Sequence, residues 1–312
     1  MKEKMPASQA PCCIVIATDE RSERLTDTLH RGPLSSQQAA IVKRGFLRQA
    51  LLRARRIASP ASVLVSAREE DRSVWAGPLW FTQSANRFIS DRGVPTSLST
   101  AAAVLSVAAT SPSRLVTILP SDFWVARESV LAEAIESALM ALQRVPGTVA
   151  TLGMSDTHPG ADEDYLIVGP GGSQMGAAIQ AKANRPPPSA AKRLSDEGAL
   201  VASGILVGHA QAFAERIQKY WPQLARELTN TVGSDRSQDA EHRLSACVYH
   251  HISRSVVCAM RLFPPTFAMR AFRVQGSGWC SRKRIHDVRP ALAVGLRASS
   301  HGPNSVRADY PS

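Results

Sequence analysis

From Arg114 to Val125 the chain reads Arg-Leu-Val-Thr-Ile-Leu-Pro-Ser-Asp-Phe-Trp-Val, and this stretch restricts the fold more than any other. Leu115 to Leu119 is a short apolar run rich in β-branched residues, the pattern of a strand covered on both faces. Such a strand belongs to a parallel sheet with helices above and below it. Pro120 cannot donate to a ladder, so the strand stops there. Asp122 then falls just past the carboxyl end of the strand, where open α/β sheets bind their ligands. An acid in that place can hold Mg²⁺ and, through it, phosphate oxygens. The alternative is an acid that only caps the turn or the next helix.

The flanking segments have the same character. Cys12 to Ala17 reads as a first strand. Lys43 to Ile57 reads as a helix, with Phe46, Leu47, Ala50, Leu51 and Ala54 on one face and arginines mostly on the other. Ser59-Pro60 stops it, and Val63 to Val65 is a second strand, which completes a strand-helix-strand unit. Glu69 to Arg72 opens a helix with acids in its first turn. A small-residue helix over 98–109, an apolar-faced helix over 128–143 and a strand over 148–152 follow. Residues 168–192, rich in Gly, Ala, Pro and Lys, read as a mobile connection. Residues 210–228 and 238–260 read as helices.

With 312 residues and 44% hydrophobic content, the chain can bury a sizeable core. No apolar run reaches the ~18 residues of a membrane span, and Cys12 to Ala17 is too short for a signal-peptide core. A cytoplasmic protein with no membrane partner is expected. The cysteines, at 12, 13, 247, 258 and 280, are odd in number and scattered, which suits neither a disulfide framework nor zinc. His250 and His251 are adjacent and point to different faces of a helix, a poor metal pair. The net charge of +11 favours polyanionic partners. Aromatics are only 5% and no basic stripe alternates with stacking residues, so a basic nucleic-acid-binding protein is the least favoured reading.

Leu119-Pro120-Ser121-Asp122-Phe123 resembles the Pro-(Ala/Ser)-Asp-His signature of the mannose-1-phosphate guanylyltransferases, the sugar nucleotidyltransferases that make GDP-mannose. Asp91-Arg92-Gly93-Val94-Pro95-Thr96 is similar to the family's Asn-Arg-Gly-Thr-Ala-Pro segment. Thr151-Leu152-Gly153-Met154, then Thr157-His158-Pro159 and Tyr165-Leu166-Ile167, resemble its Leu-Gly strand and following loop. Ser203-Gly204-Ile205 matches part of its Leu-Trp-Asn-Ser-Gly-Ile-Phe-Val strand, and Phe272 to Trp279 the strand before its Gly-Trp-Ser-Asp. The resemblance runs from about Cys12 to Trp279.

The resemblance implies a fold class. It is α/β, with a doubly wound, mostly parallel, Rossmann-like nucleotidyltransferase sheet, helices on both faces and a helical C-terminal part. The domain would span 11–292, between a disordered N-terminus (1–10) and a disordered tail (293–312). The implied reaction moves GMP from GTP to mannose 1-phosphate, giving GDP-mannose and pyrophosphate. The implied partners are a nucleoside triphosphate, GTP first, and a sugar 1-phosphate. Mg²⁺ or another divalent cation would be the cofactor, and a homo-oligomer is admitted. Asp122 would be catalytic and hold the metal, and Arg24 would be catalytic. Arg92, Gly93, Tyr165, Lys182, Ser203 and Gly204 would line the nucleotide and sugar subsites.

Several positions depart from the family's pattern. Its glycine-rich phosphate loop is replaced by Thr18 to Leu25, which has no glycine and carries Asp19, Glu20 and Glu23. Arg24-Leu25 is the surviving trace. The phosphate-contacting lysine falls at Gln37 and the sugar-binding asparagine at Ala202. The second metal-binding acid falls at Ser281, followed by Arg282-Lys283-Arg284. After Trp279 the resemblance ends, as a shifted reading frame late in a family gene would produce. Two readings therefore stand. One is an active, divergent enzyme in which Asp164 or Asp19 helps to hold metal. The other is a non-catalytic relative that binds a nucleotide or nucleotide sugar, and the losses weigh against efficient catalysis.

Overall fold

In the computed structural model, the residues described are 10–17, 36–80, 82–121, 124–125, 127–155, 163–170, 176–234, 241–244, 269–274 and 279–280. In chain order they form β1 (Cys12–Ile16), α1 (Ser36–Ile57), β2 (Val63–Arg68), the single-turn α2 (Arg72–Trp75), β3 (Arg87–Ser90) and α3 (Thr96–Thr110). Next come β4 (Leu115–Pro120), the short β5 (Trp124–Val125), α4 (Glu128–Leu142), β6 (Val149–Met154), β7 (Asp164–Val168) and β8 (Ala177–Asn184). The last are α5 (Pro188–Asp196), β9 (Leu200–His209), α6 (Ala210–Tyr220), α7 (Pro222–Ser234), β10 (His242–Leu244), β11 (Met269–Val274) and β12 (Trp279–Cys280).

Among the described residues, ten strands form one sheet in the order β10-β3-β2-β1-β4-β9-β6-β11-β8-β7, and β5 and β12 make a separate antiparallel pair. From β10 to β4 every neighbouring pair is parallel. Past β4 the sheet is mixed. β9 runs antiparallel to β4 and β6, and β8 antiparallel to β11 and β7. The expected mostly parallel sheet therefore describes one half. In the other half β8 follows β7 by a connection too short for a parallel crossover, so the two strands pair antiparallel.

Alternate residues of the central strands face opposite layers. Ile14, Ile16, Val116 and Ile118 pack beneath α3, α6 and α7. Cys13, Val15, Leu115 and Leu119 pack beneath α1 and α4. Cys12 and Cys13 are buried in β1; burial pushes the Cys12 thiol up to about 12 and raises Cys13 as well, so both are packing groups rather than nucleophiles. Arg53 joins the two helices of the second layer. Its Nε donates to both carboxylate oxygens of Glu128, at 3.0 and 2.9 Å, and its Nη2 to Oε1 at 2.6 Å. Among the described residues, no helix is long and apolar enough to cross a membrane.

Three expectations do not hold. The stretch expected to be a mobile connection, 168–192, contains β8 and the start of α5. Its small and polar residues have weak propensity, and pairing with β7 and β11 overrides it. The helix expected over 210–228 is two helices, because Pro222 cannot continue α6 and instead opens α7. Within the helix expected over 238–260, Glu241 leads into the strand His242–Leu244, and the rest of that span lies outside the described residues, as does most of the expected helical C-terminal part.

β10 closes the edge beyond β3 and is held by charge. Arg72 and Arg87 pair with Glu241 at 3.4 and 3.2 Å, and Arg243 reaches Glu69 at 3.2 Å and Asp91 at 3.7 Å. His242 stacks on the buried ring of Phe88 at 4.5 Å. The hydrogen bond from Arg72 is the main cause that holds the Glu69 carboxyl below its ordinary range. Stability from Glu69 is therefore fully present above the ordinary glutamate pKa and is lost as pH falls through the lowered one. Urea denaturation of wild type and Glu69→Gln, from about pH 7 to about pH 3, should show a difference that shrinks toward acid. A difference constant across that range would refute the assignment.

Candidate functional site

The chain steps outward from β1 to β2 and β3, then returns to place β4 on the other side of β1. Connections leave the two neighbours β1 and β4 in opposite directions, the switch point beside which open α/β sheets bind ligands. The backbone there is tied tightly. Ser121 N–H donates to Ile16 O at 3.0 Å, Ser121 Oγ to Ala17 O at 2.8 Å, and Ala17 N–H to Ser66 O at 2.8 Å. The carboxyl ends of β2, β1 and β4 are thus locked together at the point where the chain enters Asp122. Asp122 and Arg24 themselves lie outside the described residues.

Arg92 and Gly93 are exposed in the turn after β3, where Gly93 has φ +76° and Val94 N–H donates to Asp91 O at 3.0 Å. The turn is fixed from outside by Asp91 N–H donating to Leu244 O at 3.0 Å. Behind it lies a group of buried hydroxyls. Ser66 Oγ lies 2.7 Å from Ser99 Oγ and 2.9 Å from Thr100 Oγ1, and Ser90 Oγ donates to Pro95 O at 3.1 Å. These bonds seat the first turn of α3 on β2 and β3 and are made within the protein, so they are not presented to a ligand.

Ser203 and Gly204 form a bulge in β9. Thr151 pairs with Leu206 but Gly153 pairs with Ala202, so β9 carries extra residues between those rungs. Gly204 has φ +83°, a conformation that costs a side-chain-bearing residue about 1–2 kcal/mol. Ser203 Oγ accepts the Ile205 N–H at 3.0 Å, and Thr151 Oγ1 donates to Ile205 O at 3.1 Å. The Ser-Gly-Ile segment therefore has a backbone task, and Ser203 is buried. Gly153 has a packing task, since a Cβ there would lie 2.8 Å from Leu200 Cβ. Ala202 sits half-buried beside it in the register.

The remaining two expected contacts lie in the mixed half of the sheet. Tyr165 is fully buried on β7 with Ala191, Ala199 and Val201 around it. Lys182 Nζ lies 2.8 Å from Asp164 Oδ2, a diagonal pair across the β7–β8 ladder with both side chains largely covered. The structure thus sets Arg92 beside Gly93 and Ser203 beside Gly204, whereas Tyr165 on β7 and Lys182 on β8 face opposite sides of the sheet. It does not bring the first pair to the others: β3 and β9 are four strands apart, or roughly 19 Å.

Sequence reasoning gave no role to Ser66 or Ser121. The available signal was a hydroxyl inside an otherwise apolar, strand-like run. It also missed the clamp of Glu241 and Arg243, because Arg87 lies 154 residues from Glu241 and Glu69 lies 174 from Arg243. Among the described residues, no three His, Cys, Asp or Glu side chains converge as a metal site. Asp164 is committed to Lys182, and Asp19 and Ser281 lie outside the described residues. Of the acids expected to hold a metal, Asp164 is thus paired with a lysine, and Asp122 and Asp19 lie outside the described residues.

No protein-family model matches this chain, and no curated protein sequence matches it. Among solved structures, a mannose-1-phosphate geranyltransferase from Thermus thermophilus superposes with a TM-score of 0.67 at 18% identity, over 91% of this chain and 79% of that one. A mannose-6-phosphate isomerase from Helicobacter pylori superposes with a TM-score of 0.60 at 15% identity, over 87% of this chain and 100% of that one. At these identities the likeness establishes the fold: the chain is an α/β-sheet protein sharing the architecture of those two. That fold fits the divergent sugar nucleotidyltransferase-like protein that its motifs resemble.

If Ser203-Gly204 is a backbone device, Gly204→Ala should cost about 1–2 kcal/mol of stability in urea denaturation. Ser203→Ala should cost about 1 kcal/mol. Full stability in Gly204→Ala would show that the bulge does not need glycine.

Proposed function

We propose that this protein is a divergent relative of the sugar nucleotidyltransferases that binds a nucleotide, with GTP first, and a sugar 1-phosphate at the carboxyl end of β1 and β4. The observation that supports this reading is the tie of Ser121 to Ile16 and Ala17, which fixes the chain at the carboxyl ends of β1 and β4 one residue before Asp122 in the sequence. In the parent reaction a sugar 1-phosphate oxygen attacks the α-phosphorus of the triphosphate and pyrophosphate leaves. No covalent enzyme intermediate is needed, so the protein contributes position and charge. Arg92, exposed on the turn after β3, offers a guanidinium to phosphate or base. Asp122 would hold a divalent cation if one is bound.

Loss of the glycine loop, of the lysine at Gln37 and of the asparagine at Ala202 removes close-approach, charge and sugar contacts in turn. The same reading therefore assigns the protein binding without efficient turnover. Calorimetry with GTP, ATP and CTP, with and without Mg²⁺, should show saturable binding with GTP preferred. Absence of binding to all three overturns the reading. With GTP, mannose 1-phosphate and Mg²⁺, pyrophosphate release should stay below the usual enzymatic range of ~1–10³ per second. Asp122→Ala should abolish whatever release occurs, and unchanged release would remove Asp122 from the site.

A further inference from the structure

On the face of the sheet opposite α3, α6 and α7, the two helices α1 and α4 carry opposite charge. α1 holds six basic residues, Lys43, Arg44, Arg48, Arg53, Arg55 and Arg56, and no acid. α4 holds Glu128, Glu133 and Glu136 and no base. Between them runs a groove of about 310 Å³ floored by Pro11, Ile57, Leu131, Ile135 and Leu139. Two apolar side chains stand proud on the same helices, Leu52 at 54% and Met140 at 57% exposure. Arg53 and Glu128 join the two helices within one copy.

We infer that this face is the contact between two copies of the chain. The argument is one of charge order. An acidic partner would meet α1 well and α4 badly, and a basic partner the reverse. A surface that suits both must carry acid opposite α1 and base opposite α4, with apolar groups between. The face itself has that arrangement after a half-turn about an axis parallel to the helices. Each helix links two strands of the same direction and lies on the same face, so the two run parallel, and that rotation sets α1 of one copy on α4 of the other, twice over. Helices of 22 and 15 residues span roughly 33 and 22 Å, enough length for a contact of about 800 Å² per copy. Leu52 and Met140 become the apolar centre, ringed by the charged walls. The rotation also relieves an imbalance: in a chain of net charge +11, α4 is an anionic patch that another copy's α1 neutralises.

The test is sedimentation velocity on the full chain over a micromolar concentration series. Wild type should form dimers. Arg48→Glu/Arg56→Glu and Glu133→Arg/Glu136→Arg should each raise the dimer dissociation constant by about 100-fold, since symmetry counts each change twice. The combination of all four substitutions should recover the dimer. Met140→Asp, at an exposed position that leaves the core intact, should give monomer. Glu215→Arg on α6 makes a comparable charge change on the other face and should leave the dimer unaltered. A wild type that stays monomeric overturns the inference, as does a dimer that Met140→Asp and the reversed acidic wall both leave intact. None of these readouts depends on nucleotide binding.

Discussion

The structure depends on β1 having no free side. Its five residues are essentially inaccessible on both faces, and its backbone is paired along both edges, to β2 and to β4. A strand so placed must satisfy every peptide group within the sheet, because water cannot reach it. That requirement fixes the parallel register of β2, β1 and β4 and brings their carboxyl ends level. Ala17, Ser66 and Ser121 continue the same pairing one step past the strands. The switch point between β1 and β4 follows from the order of connections there.

Much of the polar chemistry near these strand ends serves the scaffold. The hydroxyls of Ser66, Ser90, Ser99 and Thr100 are spent on α3, and the Ser203–Gly204 bulge takes its own backbone bonds. Lys182 is matched by Asp164. These are motif positions or their neighbours, and their presence is accounted for by backbone geometry and buried polar satisfaction. Gln37 and Ala202, which the resemblance assigns to ligand contact, depart from the family's pattern. A chain can lose contacts made solely to a ligand without losing its fold, whereas a Cβ at Gly153 or a lost partner at Ser203 disturbs the sheet itself.

β1, β2, β4 and β6 and the helices α1, α3 and α4 were legible in the residues. The β-branched run at Leu115, the stop at Pro120, the apolar spacing along α1 and α4 and the breaks at Ser59-Pro60 are local signals, and the elements stand where those signals put them. β3, β8 and β10 were not. Residues 177–184 have small and polar side chains with no periodic signal, and they become a strand because β7 and β11 lie on either side with unpaired edges. His242–Leu244 is a strand because Arg72, Arg87 and Phe88 receive its flanking charges and ring.

The sequence by itself determined that the chain alternates buried strands with amphipathic helices, and that an acid follows the end of a central strand. Periodicity and proline stops are properties of a few neighbouring residues, so they can be read without coordinates. Tertiary structure alone decided which strands pair and in which direction. It also decided that Ser203-Gly204 is a bulge, that Lys182 is neutralised, and that a cationic helix lies beside an anionic one. Those outcomes depend on groups brought together from distant parts of the chain, and no local pattern encodes which surfaces will meet.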